Sequence, residues 1–219
     1  MASIVQAEAP GTTAQHALES LRRAIVGGEL VPGQRVLQDE VAEALGVSIA
    51  PLREALAVLE REGQVTYRPR RGYFVTELRI EDLEEIYELR QVLEERAARR
   101  ALPTLDHEAL ERIRTAARDC AEAADAGDVA AELEANRRFH FAILESPDQP
   151  QAMRLIRLLW DSTEAYRAMY YNSPEERRRA IVAHDAIVDA VDRHDAEALV
   201  AALDAHRARA LEVLGRILG

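Results

Sequence analysis

The chain contains no lysine: its 28 basic residues are all arginine, against 39 Asp and Glu, giving a net charge of −11. With basic residues of both kinds usual in proteins, the absence reads as a composition bias rather than a mechanism. There is one cysteine, Cys120, which excludes an internal disulfide. It falls in a helical pattern and is expected to be a small packed side chain rather than a reactive thiol. No apolar run approaches the roughly 18 residues that would span a bilayer. Residues 1–11 lack a positive charge followed by an apolar stretch, so no signal peptide is expected there, and 1–12 are expected to form a disordered lead. These absences together predict a cytoplasmic protein.

The acidic balance argues at first against a nucleic-acid partner, but the acid is unevenly spread. Residues 1–77 hold 8 Arg and 10 Asp and Glu, whereas 78–219 hold 20 Arg and 29 Asp and Glu. Within 48–71 there are 5 Arg against 3 Glu. A DNA-binding face needs local positive charge, not a basic protein.

With 219 residues, 48% of them hydrophobic, the chain can form one large domain or two small ones. Leu18, Leu21 and Ile25 recur at helical spacing and Gly27-Gly28 ends that helix. A second helix is predicted over 38–45, with Val41 and Leu45 inward and Gly46 as its stop. Ser48 is expected to cap a third, which turns Leu52, Ala55, Leu56 and Leu59 inward and carries Pro51 in its first turn, where Pro is tolerated. Val65, Tyr67, Tyr73 and Val75 then flank the tip Arg68-Pro69-Arg70-Arg71-Gly72, a hairpin with a basic tip. Three helices and a hairpin over 13–77 form a winged helix-turn-helix. After a boundary near 77–80 the pattern is all helical. Breaks at Pro103, Gly127-Asp128, 147–150, 172–174 and 193–195 predict an antiparallel bundle of six helices over 79–219: 80–102, 105–126, 129–145, 150–171, 174–193 and 195–218. Thr104 and Asp195 are the candidate N-caps. The fold class expected is mainly α.

A recognition helix puts its N-terminal side chains at the base edges of the major groove. Here those positions are Ser48, Ile49, Ala50 and Arg53, with Arg53 suited to guanine or phosphate and Ser48 to a phosphate. The wing tip, Arg68, Arg70, Arg71 and Gly72, suits the adjacent backbone or minor groove. Any one of these arginines alone is more often a solvated side chain; the arrangement carries the argument. The run Leu30-Val31-Pro32-Gly33-Gln34-Arg35, then 41–48, Pro51-Leu52-Arg53-Glu54-Ala55-Leu56, 59–63 and Arg71-Gly72-Tyr73-Phe74-Val75 resembles the GntR family of bacterial transcription regulators, without gaps over 16–77. The resemblance implies a homodimer on a short palindromic double-stranded DNA operator, contacted by the recognition helix, the wing tip and Arg35. Ile49 and Ala50 depart from the Arg and Thr common in that family, which puts the family's commonest operator sequence in doubt; an apolar contact to a thymine methyl is one replacement.

In the helical part, Asn136 and His140 share one helix face at spacing four, and His184 and His206 lie on two later helices. A bundle core can gather ligands from several helices, and imidazole binds Zn, Ni, Cu or Fe. The alternative is three ordinary core or surface histidines; His16, His107 and His194 read as surface residues. Residues 79–219 also resemble the FCD ligand-binding domain of the FadR subfamily, through Leu89-Arg90 with Glu94, Asn136-Arg137-Arg138-Phe139-His140, His184 ahead of Ile187-Val188-Asp189-Ala190, and His206. Six helices rather than seven suggests its VanR-like branch. The resemblance implies a divalent metal, Zn first and Ni second, at Asn136, His140, His184 and His206. Asn136 stands where Asp is usual, so weaker binding or a site of three His and water is expected. The resemblance further implies a small carboxylate effector, for which Arg90, Tyr166 and Arg167 are the candidate residues. Arg167 could equally serve an ion pair, and Trp160 is expected in the core.

Two other functions fit parts of the pattern. Three His also hold catalytic zinc, but no general base accompanies them and no HExxH pair occurs, so no enzyme is expected. A protein-interaction module that has lost DNA binding would explain Ile49 and Ala50 but not Arg53 and the basic wing. The expected function is a ligand-responsive regulator, a repressor released from its operator by a small organic acid, with no membrane partner.

Overall fold

A computed structural model describes residues 12–146 and 148–218. The expected lead lies outside them except for Thr12, as does Pro147. The chain divides into two compact units. One runs to Leu78 and includes Asp161–Ala165; the other holds Arg79–Trp160 and Tyr166–Gly219.

In the first unit, α1 spans Thr13–Val26, α2 Gln38–Leu45 and α3 Ile49–Arg61, followed by β1 (Val65–Arg68) and β2 (Gly72–Val75). The Thr12 hydroxyl caps α1 by accepting from the Gln15 N–H at 3.3 Å, satisfying one of the donors a helix start leaves open. Gly46 ends α2 in the left-handed region at φ 65°, a conformation a side chain disfavours. Leu18, Leu21, Ile25, Leu45, Leu52, Leu56 and Leu59 form the core with Val65 and Val75 from the hairpin. The strands pair antiparallel, Val65 opposite Val75 and Arg68 opposite Gly72, so the register sends both valines to the core face. Arg35 adds a single bridge to Phe74.

Among the described residues the chain after Leu78 forms seven α-helices, not six: α4 (Ile80–Ala101), α5 (His107–Ala126), α6 (Val129–Leu144), α7 (Pro150–Ser162), α8 (Glu164–Tyr171), α9 (Pro174–Asp192) and α10 (Ala196–Leu218), with a 3-10 turn at Leu102–Thr104. The stretch 150–171, expected as one helix, is broken at Thr163. Ser162 and Thr163 supply hydroxyls that compete for backbone partners and weaken a helix interior. The apolar period runs through the break, which hid it, and the helix count no longer argues for a VanR-like branch. Asp106, not Thr104, caps α5, accepting from the Ala109 N–H at 2.8 Å; the Thr104 hydroxyl donates back to the Ala101 carbonyl. Asp195 accepts from the Ala198 N–H at 3.0 Å, the cap expected for α10. Phe139, Ile143, Ile156, Trp160, Ile187, Leu199 and Leu203 are almost wholly buried in one core that also takes Cys120. Burial pushes the Cys120 thiol up to about 12, so it is inert as a nucleophile. Among the described residues no helix is long and apolar enough to cross a membrane.

Candidate functional site

The N-terminal unit presents its candidate DNA-binding residues outward. Ser48, Ala50 and Arg53 are exposed at the start of α3, as are Arg35, Arg68, Arg70 and Arg71, with Gly72 half-buried. Ser48 holds the N-cap position with extended backbone, yet its hydroxyl makes no cap hydrogen bond, contrary to the expectation that it would. Ile49 is half-buried and packs against the core; facing the helices beside it, it is a poorer candidate for an apolar base contact than its position in the sequence suggested. Arg53 Nε donates to Gln38 Oε1 at 3.2 Å, which steadies the guanidinium at the start of α3. At the wing tip the Arg68 guanidinium lies 4.4 Å from the centre of the Phe74 ring. Arg70 adopts φ 63°, a left-handed backbone that costs a side-chain-bearing residue roughly 1–2 kcal/mol.

In the second unit, α6, α9 and α10 bring His140, His184 and His206 together, with one candidate ligand nitrogen from each within 4.8 Å of the others. The His140 and His206 ring centres are 5.2 Å apart, those of His184 and His206 5.0 Å and those of His140 and His184 5.5 Å. Both ring nitrogens of His140 and of His184 are buried without a hydrogen-bond partner among the described residues, a costly arrangement for groups that normally find one. Burial, then the neighbouring histidines, lowers His140 well below its ordinary value, and burial followed by His206 does the same to His184. Burial, with Arg90 and Arg207 nearby, pushes His206 down to about 4. All three are therefore neutral imidazoles at pH 7, the form that ligates a metal. Converging, neutral imidazoles, two of them without a hydrogen-bond partner among the described residues, fit a divalent cation.

Asn136 lies on the same side of α6, but its Oδ1 accepts a hydrogen bond from the Tyr171 hydroxyl at 3.0 Å, so the atom that would stand for a carboxylate ligand is already engaged. Beside the histidines is a cavity of about 20 Å³ lined by Arg90, Asn136, His140, Arg167, His206 and Arg207, among others, space for about one water. Arg90 and Arg167 thus reach the histidine site, each guanidinium within 4.5 Å of the Trp160 ring centre. Tyr166 is buried but is not among the lining residues; Tyr170 and Tyr171 from the same helix are.

A buried ion cluster borders the cavity. Glu94 accepts from Arg90 Nε at 2.8 Å, from Arg207 Nη1 at 2.6 Å and from the Trp160 indole N–H at 2.8 Å. Burial pushes the Glu94 carboxyl up, but the two guanidiniums outweigh it and hold it below its ordinary value. Arg207 is the residue that sequence reasoning missed. It follows His206 directly on α10, and only the fold brings it to Glu94, 113 positions away.

Residues 85–209 match the FCD domain family, and residues 13–75 match the bacterial regulatory proteins of the gntR family. The chain belongs to the GntR family and carries an FCD domain. This GntR-family chain is 30% identical over 195 residues, 89% of its own length and 85% of the other's, to a probable D-xylose utilization operon transcriptional repressor of Paenarthrobacter nicotinovorans. It is 26% identical over 199 residues to the HTH-type transcriptional regulator YdhC of Bacillus subtilis strain 168, covering 90% of this chain and 89% of that one. Its structure is similar to that of Escherichia coli McbR, with a TM-score of 0.83 at 25% identity, over 95% of this chain and 100% of that one. Like these relatives, the GntR-family chain is a DNA-binding transcription regulator and not an enzyme, which sets aside the metalloenzyme reading.

Proposed function

We propose that the chain is a ligand-responsive repressor that binds a palindromic operator as a homodimer and is released by a small organic acid. The observation that carries the ligand-sensing half is the convergence of three imidazoles in the FCD domain, half-buried His206 beside buried His140 and His184, whose ring nitrogens have no partner among the described residues. His140, His184 and His206 hold the divalent metal, Zn first and Ni second. Asn136 is the fourth candidate, though its oxygen is engaged by Tyr171, which favours three His completed by water or effector. When bound, the metal supplies positive charge and open coordination positions for a carboxylate. Arg90 and Arg167 border the same space and add charge-assisted hydrogen bonds; Tyr166 would act only from behind this lining.

On the DNA side, Arg53, Ser48 and Ala50 enter the major groove, with Ile49 buttressing the helix start. Arg35, Arg68, Arg70, Arg71 and Gly72 meet the phosphate backbone or the minor groove beside it. A twofold-symmetric dimer matches a palindrome, and exposed Leu89 and Val92 on α4 are apolar side chains of the kind a second subunit covers. A cavity this small must open to take an organic acid. That cost couples effector binding to domain arrangement, with typical coupling of about 1–3 kcal/mol. The protein works in the cytoplasm, where operator and effector are both found.

The test is selection of a palindromic duplex by the full chain from random DNA, followed by titration of the complex with citrate and other small carboxylates. Binding that weakens as the acid is added supports the proposal. Failure to enrich any palindrome, or DNA affinity indifferent to every carboxylate, contradicts it.

A further inference from the structure

Three guanidiniums line the cavity beside the histidines, those of Arg90, Arg167 and Arg207, and they differ in what confines them. Arg90 bonds to fully buried Glu94 and lies against the Tyr87 and Trp160 rings. Arg167 donates to the Trp160 carbonyl at 2.8 Å. Arg207 is divided between two carboxylates: inward to Glu94 and outward to Asp204. Asp204 has a side chain 31% exposed and also accepts from Gln91 Nε2 at 3.1 Å. Arg207 and Tyr87 line a second space as well, an open groove of about 340 Å³ between α4 and α10 that includes Gln91 and Asp204. One guanidinium therefore stands in the wall between an outer groove and the buried histidine site.

We infer that Arg207 is the residue that receives the effector carboxylate, and that the α4–α10 groove is its way in. The inference rests on the organic-acid reading above. An incoming carboxylate in the groove meets Arg207 first and offers what Asp204 offers. A partly exposed ion pair contributes little, so Asp204 can be exchanged. The buried Arg207–Glu94 pair is far harder to break, since that would leave Glu94 with one fewer cation in a low-dielectric surrounding. Arg207 thus keeps its inner partner, swaps its outer one and turns the ligand toward His206, its neighbour on α10. Arg90 remains fixed as the second cation behind Glu94. The groove's lining also carries Glu88 and Asp204, so its attraction for an anion lies in the Arg207 guanidinium at its inner end.

Trp160 is the only tryptophan in the chain and lines the cavity, so its fluorescence reports what reaches the site. The experiment measures quenching of the full-length protein by iodide, an anion, and by neutral acrylamide, in wild type, Asp204→Asn, Arg207→Leu and the double variant. Asp204→Asn lies at the rim and leaves the buried pair in place. Expected is iodide quenching raised several-fold in Asp204→Asn and returned to the wild-type level or below in the double variant, with acrylamide quenching the same throughout. Citrate affinity should fall at least roughly tenfold in Arg207→Leu. Iodide quenching unaffected by Asp204→Asn overturns the inference, as does acrylamide quenching that rises in parallel, which would mean general loosening. If Arg207→Leu does not fold, Asp204→Asn alone still decides. If iodide follows the expected order while wild type binds no carboxylate, the organic-acid reading fails and the anion route stands. If wild type binds citrate but the variants change nothing, the route fails and the organic-acid reading stands.

Discussion

A side chain's surroundings can depart from what its sequence position suggests or agree with it, and Glu132 and Arg53 are the two cases. Glu132 lies on the first turn of α6, where an exposed acid would be ordinary, yet it is buried with both oxygens unpartnered. Burial, opposed by Arg177, raises its carboxyl from 4.5 to about 7. A raised folded-state value means that the folded chain binds the extra proton. The group's contribution to stability is complete below 4.5 and is lost as pH rises to and through about 7. Glu132→Gln is neutral at every pH and should be more stable than wild type at pH 8 by about 1–3 kcal/mol, with the difference vanishing near pH 4; urea denaturation at the two pH values checks it. Arg53 is the second case, and its exposure was legible. Arg53→Ala should weaken operator binding by about 1–3 kcal/mol without altering the fold or metal content, and unchanged affinity by fluorescence anisotropy would remove it from the interface. Spacing put Asn136 and His140 on one helix face, and the resemblance to FCD domains added His184 and His206 to them. Arg207 could not be read in the sequence, because surface and buried arginines look alike until a fold brings a carboxylate to one of them. Tyr166 shares a face of α8 with Tyr170, four residues on, yet it is Tyr170 and Tyr171 that line the cavity, a difference that spacing alone does not reveal.

At the scale of elements, helix ends were more legible than helix interiors. Gly46 and Gly127 end α2 and α5 in left-handed conformations, and only glycine takes these up freely. The interruption at Thr163 carries no such marker, so 150–171 read as one helix. The end of α9, read at 193–195, lacks a glycine: His194 takes φ 52°, the Asp195 N–H bonds to the Ala190 carbonyl and the His194 N–H to the Val191 carbonyl. That pairing is the Schellman arrangement, in which Gly is favoured. His194→Gly should raise stability by about 0.5–1 kcal/mol in thermal denaturation; a loss would show that the imidazole has a role the geometry does not reveal. Arg70 carries the same left-handed backbone at the wing tip. Arg70→Gly relieves it as well, so it should hold or gain stability while losing DNA affinity. Gain in one and loss in the other would mark a residue kept for contact rather than for folding.

At the scale of the whole molecule, the excess of acid and the DNA-binding function are compatible because charge is apportioned between the two units. The FCD domain carries most of the surplus acid, whereas the recognition helix and wing carry exposed arginines. Domain order and function were legible from the winged-helix pattern and the family resemblance. The closeness of three imidazoles was not, since it depends on the packing of α6, α9 and α10. That convergence is the central claim, and elemental analysis of the purified full chain tests it most directly, alongside His140→Ala and His184→Ala. Expected is one divalent metal ion per wild-type chain, Zn or Ni, lost in both variants while their helical content is kept. No metal after incubation with Zn or Ni, or metal retained in both variants, would contradict it.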